Sequence, residues 1–273
     1  MKENSIRRAV REGRAALGTG LREFASRGVP RIIEAAGFDY CMIDMEHGAF
    51  ALETIADLAA WFAATDVSPI VRIHKAFLQY IPLLLDQGIM GIQISGVDNA
   101  DEARAIVQEA KYPSLGHRGI AGTGPHTGYR SYGASYHTVY SPRANENIII
   151  CPSIESLEGL ANVEAIAAVE GIDMLAYGHS DLSAALGIHL QLEHPRFKEV
   201  VRTTAATCRK YGKLARGSAE TEAQIEEYWH LGCQVLNLPG TDTSTYLEGL
   251  KARASRAHAR LQALGVPTPQ REA

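Results

Sequence analysis

Two carboxylates and a histidine crowd the stretch IDMEHGAF, residues 43–50, directly after a short apolar run. Asp44, Glu46 and His47 would be costly at the end of a buried strand unless each has a partner or a ligand. Carboxylates and imidazole are also side chains that commonly transfer protons in enzymes. The types and spacing of these three residues therefore indicate acid–base chemistry at a strand end.

Polar side chains also end three other apolar runs. Arg72 stands in PIVRI, Glu155 ends CPSIE, and Asp181 closes GHSD. Taken singly, Asp181 could be a helix N-cap and Arg72 could merely neutralise nearby carboxylates. Four strand ends that together deliver a histidine, an arginine and several acids predict one shared site.

Glu155 and Asp181 are the pair that indicates a metal ion. If their strands are neighbours, the strand ends lie about 5 Å apart, and two carboxylates that close repel unless a proton or a cation lies between them. Mg²⁺ takes one or two carboxylates and keeps positions for water and substrate, so a 2-keto acid could chelate it through its carboxylate and keto oxygens. No His-x-His or HExxH zinc pattern competes. The turn at 178–182, from strand to helix, could bind a substrate carboxylate.

The elements that must position these residues follow from an alternation of short apolar runs with amphipathic stretches. The predicted strands are Ala16–Leu21, Tyr40–Met45, Pro69–Ile73, Gly91–Ser95, Ile148–Ile154, Ile172–Tyr177, Leu214–Gly217 and Val235–Leu238. Their apolar character implies burial on both faces and hence a parallel sheet. Eight strand–helix units in about 250 residues predict an α/β fold, a (β/α)8 TIM barrel. A doubly wound open sheet is the alternative, but its G-x-G-x-x-G after the first strand is missing.

The stretches between the strands have helical character. The predicted helices are Asn99–Tyr112, Ser156–Val169, Pro195–Tyr211 and Glu220–Leu231. In the first, we expect Asn99 as the N-cap and Glu102 at the capping-box position. Residues 113–146 break the rhythm with more than thirty residues and no convincing periodicity. A segment this long in a compact domain is usually functional or disordered, and its tyrosines, histidines and arginines favour a lid or a subunit contact.

Composition argues against several classes of protein. The chain of 273 residues is 46% hydrophobic and 21% charged, which is ordinary for a globular protein, and we expect one barrel domain over residues 1–273 with a frayed tail from about residue 264. A net charge of −4 gives no support to nucleic-acid binding. The N-terminus lacks the apolar region of a secretory signal, and no run approaches 18 apolar residues. Four scattered cysteines fit reduced, buried thiols, so we expect a cytoplasmic protein that binds small molecules and no membrane.

The motifs together resemble those of a known family, over nearly the whole chain from about Leu17 to Leu250. They are IDMEHGAF, the arginine of IVRI, NADEAR followed by KYPSLGHRG, SIES and GHSDLSAALG. They are similar to the metal-dependent (class II) pyruvate aldolases of the 2,4-dihydroxyhept-2-enedioate aldolase type, with macrophomate synthase and the citrate lyase beta subunit as relatives. The resemblance implies a (β/α)8 barrel, commonly hexameric, that forms or cleaves a carbon–carbon bond next to a pyruvate unit.

The resemblance also implies roles for the matching residues. Glu155 and Asp181 match the ligands of a divalent metal ion, Mg²⁺, Mn²⁺ or Co²⁺. Arg72 matches the arginine that holds the keto oxygen and stabilises the enolate. His47 matches the catalytic histidine, and Asp44 matches the acid paired with it, which we expect to hold the second imidazole nitrogen.

Further matches and departures concern the substrate. Glu46 matches an acid near the metal-bound water, and the backbone of Ser180 and Asp181 matches the turn that binds the substrate carboxylate. Ser153 stands where the family commonly has a glutamine, and His179 stands in a turn that is commonly Gly-Pro-Ala-Asp. An early tryptophan of several aldolases is absent from the first strand. We therefore expect Ser153 to face a substrate whose identity the motifs leave open.

Other interpretations of the sequence stay open. Lys75, after the third strand, would serve a Schiff-base aldolase, whereas Lys213 lies before a strand. The departures leave room for a 2-keto-acid decarboxylase or a carbon–carbon bond-forming synthase, and an acyl-CoA lyase is weaker because no basic nucleotide groove is evident. A barrel that binds keto acids without catalysis is the alternative outside enzymology. From the resemblance we expect a homo-oligomer, a trimer or a hexamer, that acts on a 2-keto acid and an aldehyde.

Overall fold

The computed structural model describes residues 1–267, and its centre is a closed barrel of eight parallel strands in chain order. The strands are β1 Ala16–Leu21, β2 Tyr40–Asp44, β3 Ser68–His74, β4 Gly91–Ser95, β5 Ile149–Ile154, β6 Met174–Tyr177, β7 Leu214–Ser218 and β8 Val235–Thr241. The helices are α1 Ser5–Arg11, α2 Val29–Ala35, α3 Leu52–Phe62, α4 Ile81–Asp86, α5 Ala100–Ala110, α6 Ser141–Asn147, α7 Leu157–Ala161, α8 Val163–Ala167, α9 His179–Ala185, α10 Pro195–Lys210, α11 Glu222–Leu231 and α12 Asp242–Ala263. The predicted (β/α)8 barrel is confirmed, and the open doubly wound sheet is wrong because β8 pairs with β1.

Both faces of the strands are buried, as their apolar sequences predict. Outward side chains such as Val71, Ile92 and Leu175 belong to the main core between strands and helices. Inward side chains form a second apolar cluster, to which α1 contributes Ile6 and Ala9. The strand residues of this inner cluster are Ala16, Tyr40, Ile70, Ile149, Cys151, Met174, Ala176 and Val235. The interior is thus a packed core that supports the polar strand ends from beneath.

The predicted helices form, with two local differences. Asn99 caps α5 by accepting the N–H groups of Asp101 and Glu102 at 3.1 and 3.0 Å, but the Glu102 carboxylate accepts the N–H of Asp98, at 2.8 Å, instead of that of the cap residue. The predicted helix Ser156–Val169 is divided into α7 and α8. Asn162 interrupts it with φ −100° and ψ 8°, because its side-chain amide donates to the carbonyl of Asp98 at 2.9 Å.

Residues 113–146 are partly helical, although the sequence shows no periodicity there. Their short helical turns are Pro125–Thr127, Gly133–Ser135 and Tyr136–Tyr140, followed by the start of α6. Tyr112 and Tyr136 join their hydroxyls at 2.9 Å, and Arg118 pairs with Asp86 at the end of α4 at 2.6 Å. Because α4 leads back to the amino end of β4, these contacts lie opposite the carboxyl ends of the strands. The segment is therefore no lid over its own strand ends, and the subunit contact stays a prediction.

Three smaller expectations can be compared with the structure. All four cysteines are free and buried, as expected, and burial raises the thiol pKa of Cys151, Cys208 and Cys233 to about 12. Within residues 1–267, no helix has the length and apolarity needed to cross a membrane. The predicted tail begins after α12, and residues 268–273 lie outside the described residues.

The last helix, α12, packs loosely on the barrel. None of its 22 residues is buried, and Tyr246, Leu247 and Leu250 are 59%, 52% and 45% exposed. A cavity of about 470 Å³ lies between α12, α2 and β1, and its lining includes Phe24, Val29, Ile32, Phe38, Tyr246 and Leu250. The lining is mostly apolar and contains none of Asp44, Glu46, Glu155 and Asp181, so this cavity is not the candidate catalytic site.

Candidate active site

The carboxyl ends of β2 and β3 place Asp44 and Arg72 side by side. The two residues are directly opposite in the strand register. Arg72 holds Asp44 through two hydrogen bonds, Nε to Oδ1 at 3.0 Å and Nη2 to Oδ2 at 2.5 Å, and its Nε lies 3.4 Å from Oε2 of Glu46. A guanidinium clamped in this way presents its remaining N–H groups in a fixed direction. The structure thus brings together two of the strand ends singled out from the sequence.

Asp44 also organises the loop that follows β2. Its carboxylate, only 3% exposed, lies 3.1 Å from Nη2 of Arg22 and accepts the main-chain N–H groups of Glu46 and His47 at 3.0 and 3.1 Å. Burial alone would raise the pKa of Asp44, but the bonds from Arg72 and from these N–H groups lower it overall. The predicted contact between Asp44 and the His47 imidazole is not formed. Two arginines and two main-chain N–H groups already occupy the carboxylate oxygens of Asp44.

His47 has a different acidic neighbour. Its Nε2 lies 3.9 Å from Oε2 of Glu46, and its side chain is 57% exposed at the mouth of the barrel. Glu46 is itself fixed, since it accepts the Ser95 hydroxyl at 2.7 Å. Gly48 makes the turn possible, because a Cβ at this position would lie 2.2 Å from the carbonyl oxygen of Asp44. The imidazole is therefore held near a carboxylate and open to a ligand.

Glu155 and Asp181 follow the neighbouring strands β5 and β6, as predicted. Ile154 pairs with Tyr177, so Glu155 begins the loop beside Gly178. Burial, with a smaller contribution from the negative charges of Glu46 and Asp181, raises the pKa of Glu155 to about 7, against the lowering effects of a hydrogen bond from Ser153 and of the positive charge of Arg72. A Cβ at Gly178 would lie 2.6 Å from Cγ of Glu155. The glycine thus makes room for a carboxylate that faces other carboxylates.

The helix α9 begins at the end of β6 and carries Ser180 and Asp181 in its first turn. Its N-cap is Gly178, which has no side chain, so the interpretation of Asp181 as an N-cap is wrong. The first N–H groups of a helix have no acceptor within the helix. The first N–H groups of α9 lie beside the exposed Asp181 carboxylate. Main-chain donors and a carboxylate are therefore both available to a ligand.

The donor set at this rim suits a hard divalent ion. Among residues 1–267, no three His, Cys, Asp or Glu side chains converge as a metal site. Glu155 and Asp181 are neighbouring carboxylates, and the pKa of Glu155 is raised first by burial and then by the negative charges of Glu46 and Asp181. Mg²⁺ and related ions bind through one or two carboxylates and keep several waters. The residues present therefore fit such an ion.

The lysine of the Schiff-base alternative is occupied. Nζ of Lys75 donates to Asp98 at 2.6 Å and to Glu102 at 2.8 Å. Burial lowers the pKa of Lys75, but these two carboxylates raise it overall, so the amine stays protonated and poorly nucleophilic. Lys213 donates to the carbonyl of Ile172 at 2.8 Å, before β6 and β7 begin. Neither lysine is a suitable nucleophile.

Two residues that bind the carboxylates of the site were not identified from the sequence. Arg22, directly after β1, and Ser95, the last residue of β4, bind Asp44 and Glu46. Both stand at strand ends, the same signal that identified the other residues. Ser153 is buried on β5, and its hydroxyl interacts with the Glu155 carboxylate and lowers the pKa of Glu155.

Comparison with known proteins gives consistent results in sequence and structure. Residues 25–248 match a family model described as HpcH/HpaI aldolase/citrate lyase. A hydroxypyruvate/pyruvate aldolase of Sagittula stellata is 34% identical over 236 residues, 82% of this chain and 90% of that protein. A protein of the same name from Pseudomonas aeruginosa is 30% identical over 255 residues, 93% and 92% of the two chains. The crystal structure of an HpcH/HpaI aldolase from Desulfitobacterium hafniense DCB-2 superposes with a TM-score of 0.83, 28% identity and coverage of 92% and 95%.

Proposed function

The chain belongs to the HpcH/HpaI aldolase/citrate lyase family, and we propose that it is a carbon–carbon lyase that reversibly cleaves a 2-keto-4-hydroxy acid to pyruvate, or a close 2-keto acid, and an aldehyde. Similar proteins are named hydroxypyruvate/pyruvate aldolases, which supports this reaction class. The observation that carries the proposal is the clamp of Arg72 by Asp44 beside the exposed imidazole of His47 and the carboxylates of Glu155 and Asp181. An arginine, a base and two acids at one rim are what the cleavage needs.

Arg72 stabilises the enolate in this proposal. Cleavage of the bond between C3 and C4 leaves an electron pair that moves onto the keto oxygen, and a fixed positive charge there lowers the barrier. The two bonds from Asp44 keep the guanidinium in place without removing its charge. The N–H groups of Ser180 and Asp181 hold the substrate carboxylate, and Ser153 contacts the substrate from β5.

His47 moves the proton. Its imidazole accepts the proton of the C4 hydroxyl as the C3–C4 bond breaks, and the aldehyde leaves. Glu46, 3.9 Å from Nε2, stabilises the imidazolium that forms. The same proton can then return to C3 of the enolate to give the keto acid. Asp44 acts through Arg72 and through the main chain of residues 46–47, so we assign it a positioning role.

We further propose that the enzyme depends on a divalent metal ion held by Glu155 and Asp181. When bound, Mg²⁺, Mn²⁺ or Co²⁺ would supply Lewis-acid polarisation of the keto acid. The fit of the donor set and the raised pKa of Glu155 support this assignment.

Assay of pyruvate release from a series of 2-keto-4-hydroxy acids tests the function. We expect cleavage by the wild-type protein, loss of activity in EDTA and recovery on addition of Mn²⁺ or Mg²⁺. His47→Ala should lower kcat by about 100-fold or more. His230→Ala, whose side chain is 73% exposed on α11, should leave kcat unchanged. Absence of cleavage with every substrate in the series would refute the proposal.

The functional unit is proposed to be a homo-oligomer, a trimer or a hexamer. The apolar cavity beside α12 and the exposed Tyr246, Leu247 and Leu250 support this. Apolar patches of this kind on a chain commonly mark protein–protein contacts.

A further inference from the structure

Arg216 is a buried cation inside the barrel that the proposed mechanism does not use. It lies on β7 and is 5% exposed. Its Nε donates to the Tyr40 hydroxyl at 3.3 Å, and its Nη2 lies 3.8 Å from Sδ of Met42. Because β8 and β1 separate β7 from β2 in the closed barrel, these contacts cross the interior. Gly18 of β1 permits the crossing, since a Cβ there would lie 2.0 Å from the Tyr40 ring.

The guanidinium of Arg216 has no counter-charge of its own. Among residues 1–267, no carboxylate lies within 4.0 Å of it, whereas the buried Arg72 and Arg118 pair with Asp44 and Asp86 at 2.5 and 2.6 Å. Its hydrogen-bond partners are a phenol and a thioether, and the described residues give Nη1 no acceptor. A buried charge without a partner is costly, so an anion from outside the chain would stabilise this position.

A second unsatisfied group lies between Arg216 and the rim. Asn237 on β8 is 8% exposed, and its Oδ1 has no hydrogen-bond partner among the described residues. In the register Arg216 is opposite Val235 and Ser218 is opposite Asn237, so Asn237 stands one inward position nearer the carboxyl ends. On the adjacent β1, Gly20 carries no side chain, and a Cβ there would lie at the ordinary contact distance of 3.7 Å from its nearest atom. This side of the barrel therefore combines a cation and a polar acceptor with a glycine on the neighbouring strand.

Arg216 and the strand-end site are linked through β2. Nη2 of Arg216 lies 3.8 Å from Sδ of the half-buried Met42. Asp44, two residues further along β2 and therefore on the same face of the strand, binds Arg72. A ligand that reaches Arg216 would thus lie in the same barrel mouth as one held at Arg72.

We propose that Arg216, with Asn237 beside it, forms a second anion-binding position on the β7–β8 side of the barrel, which holds a carboxylate of the substrate other than the one next to the keto group. The inference rests on the proposed function and narrows its substrate class to 2-keto acids that carry a second carboxylate. Arg216 is then a specificity-determining residue, and Asn237 accepts a hydrogen bond from a polar substituent of the same ligand.

Calorimetric binding of two matched, non-cleavable ligands tests the proposal. 2-Oxoglutarate and 2-oxopentanoate share the keto-acid head and chain length and differ in the second carboxylate. In the Mg²⁺-loaded wild-type protein we expect 2-oxoglutarate to bind about tenfold or more tightly, the size of one charge-assisted hydrogen bond. Arg216→Met should remove this preference while it changes the affinity for 2-oxopentanoate by less than about threefold. Arg209→Met, an exposed arginine of α10, is the control and should retain the preference.

The remaining outcomes also decide the question. Equal binding of the two ligands by the wild-type protein, or an unchanged preference in a folded Arg216→Met, would overturn the proposal. If Arg216→Met does not fold, Arg216→Gln removes the charge but keeps a polar side chain, and an undiminished preference there would overturn the proposal. A preference without cleavage of any 2-keto-4-hydroxy acid would refute the aldolase function and leave the subsite standing. Cleavage of such an acid without a preference for 2-oxoglutarate would refute the subsite and leave the aldolase function standing.

Discussion

The Asp44 carboxylate holds two arginines and two main-chain N–H groups at the centre of the candidate site. A carboxylate in this position fixes the charge of Arg72 and the path of the loop that carries His47. Glu155 is in the opposite situation, because it faces Glu46 and Asp181 and is only partly offset by Arg72. At the scale of single residues, the site therefore combines Asp44, whose negative charge is neutralised by arginines, with Glu155, whose negative charge is not fully compensated.

Asp44→Asn should lower the free energy of unfolding by about 2–4 kcal/mol, because it removes the carboxylate that binds the largely buried Arg72 through two hydrogen bonds and leaves that arginine only Glu46, at 3.4 Å. It should also lower kcat/KM, since Arg72 loses its orientation. Urea denaturation and steady-state kinetics measure the two effects. Asp66→Asn, whose carboxylate is 77% exposed 3.5 Å from Arg8, is the matched control and should change neither quantity measurably.

The raised pKa of Glu155 predicts a pH dependence of stability in the metal-free protein. The pKa of about 7 in the folded state exceeds the ordinary value of 4.5, so the folded state binds this proton more tightly. The contribution to stability is fully present below pH 4.5 and is lost as the pH rises through 7. In EDTA, the free energy of unfolding of the wild type relative to Glu155→Gln should fall between pH 5 and pH 8, by up to about 3 kcal/mol.

The same measurement in saturating Mn²⁺ should abolish this fall, because the ion stabilises the ionised carboxylate. A stability difference between wild type and Glu155→Gln that does not change with pH would contradict the assignment of the raised pKa to Glu155.

At the scale of elements, the short turns after the strands decide where the charged side chains stand. Gly48 lets the chain fold back over the carbonyl of Asp44, and Gly178 lets α9 start against Glu155. The helix α9 then carries Asp181 toward Glu155 across the paired ends of β5 and β6. Both glycines are required by close approach.

Gly178→Ala tests the second of these turns. The added Cβ would lie 2.6 Å from Cγ and 3.1 Å from Oε1 of Glu155, so it should displace the carboxylate and weaken Mn²⁺ binding by about tenfold or more. The fold should persist, because φ of −82° at this position is accessible to alanine. Gly119→Ala, where a Cβ would meet no atom within 4 Å, should bind Mn²⁺ as the wild type does. Equal metal affinity in the two variants would show that Glu155 does not need this space.

At the scale of the whole molecule, closure of the barrel brings the ends of β2, β3, β5 and β6 to one rim and lets Arg216 reach β2 through the interior. The same closure leaves α12 on the outside with no buried residue. A helix with exposed apolar side chains over an apolar cavity indicates that one chain does not complete its own surface.

Leu250→Glu should therefore weaken the assembly. The side chain is 45% exposed and lines the cavity beside α12, and a charge there opposes burial against a second copy. Light scattering after size exclusion should give an oligomer for the wild type and a smaller species for the variant. Lys251→Glu, on the same helix, is the control and should keep the wild-type mass. A monomeric wild type at micromolar concentration would contradict the oligomer.

The sequence by itself determined the barrel and the rim residues. Short apolar runs without alternation require burial on both faces, and this local property placed β1 and β4 at the bounds observed. The polar residues that end these runs, Asp44, Arg72 and Glu155, come to one rim in any closed parallel barrel. Their residue types and positions relative to the strands were therefore sufficient.

Only the tertiary structure decided which groups bind each other. In the folded chain Asp44 pairs with Arg72 and Arg22 instead of the His47 imidazole, and Lys75 binds two carboxylates. Residues 113–146 lie at the end of the barrel opposite the carboxyl ends of the strands, and Arg216 extends across the interior to Tyr40. These contacts join residues far apart in the chain, so their partners depend on register, closure and side-chain reach. Local sequence patterns carry no information on those three quantities.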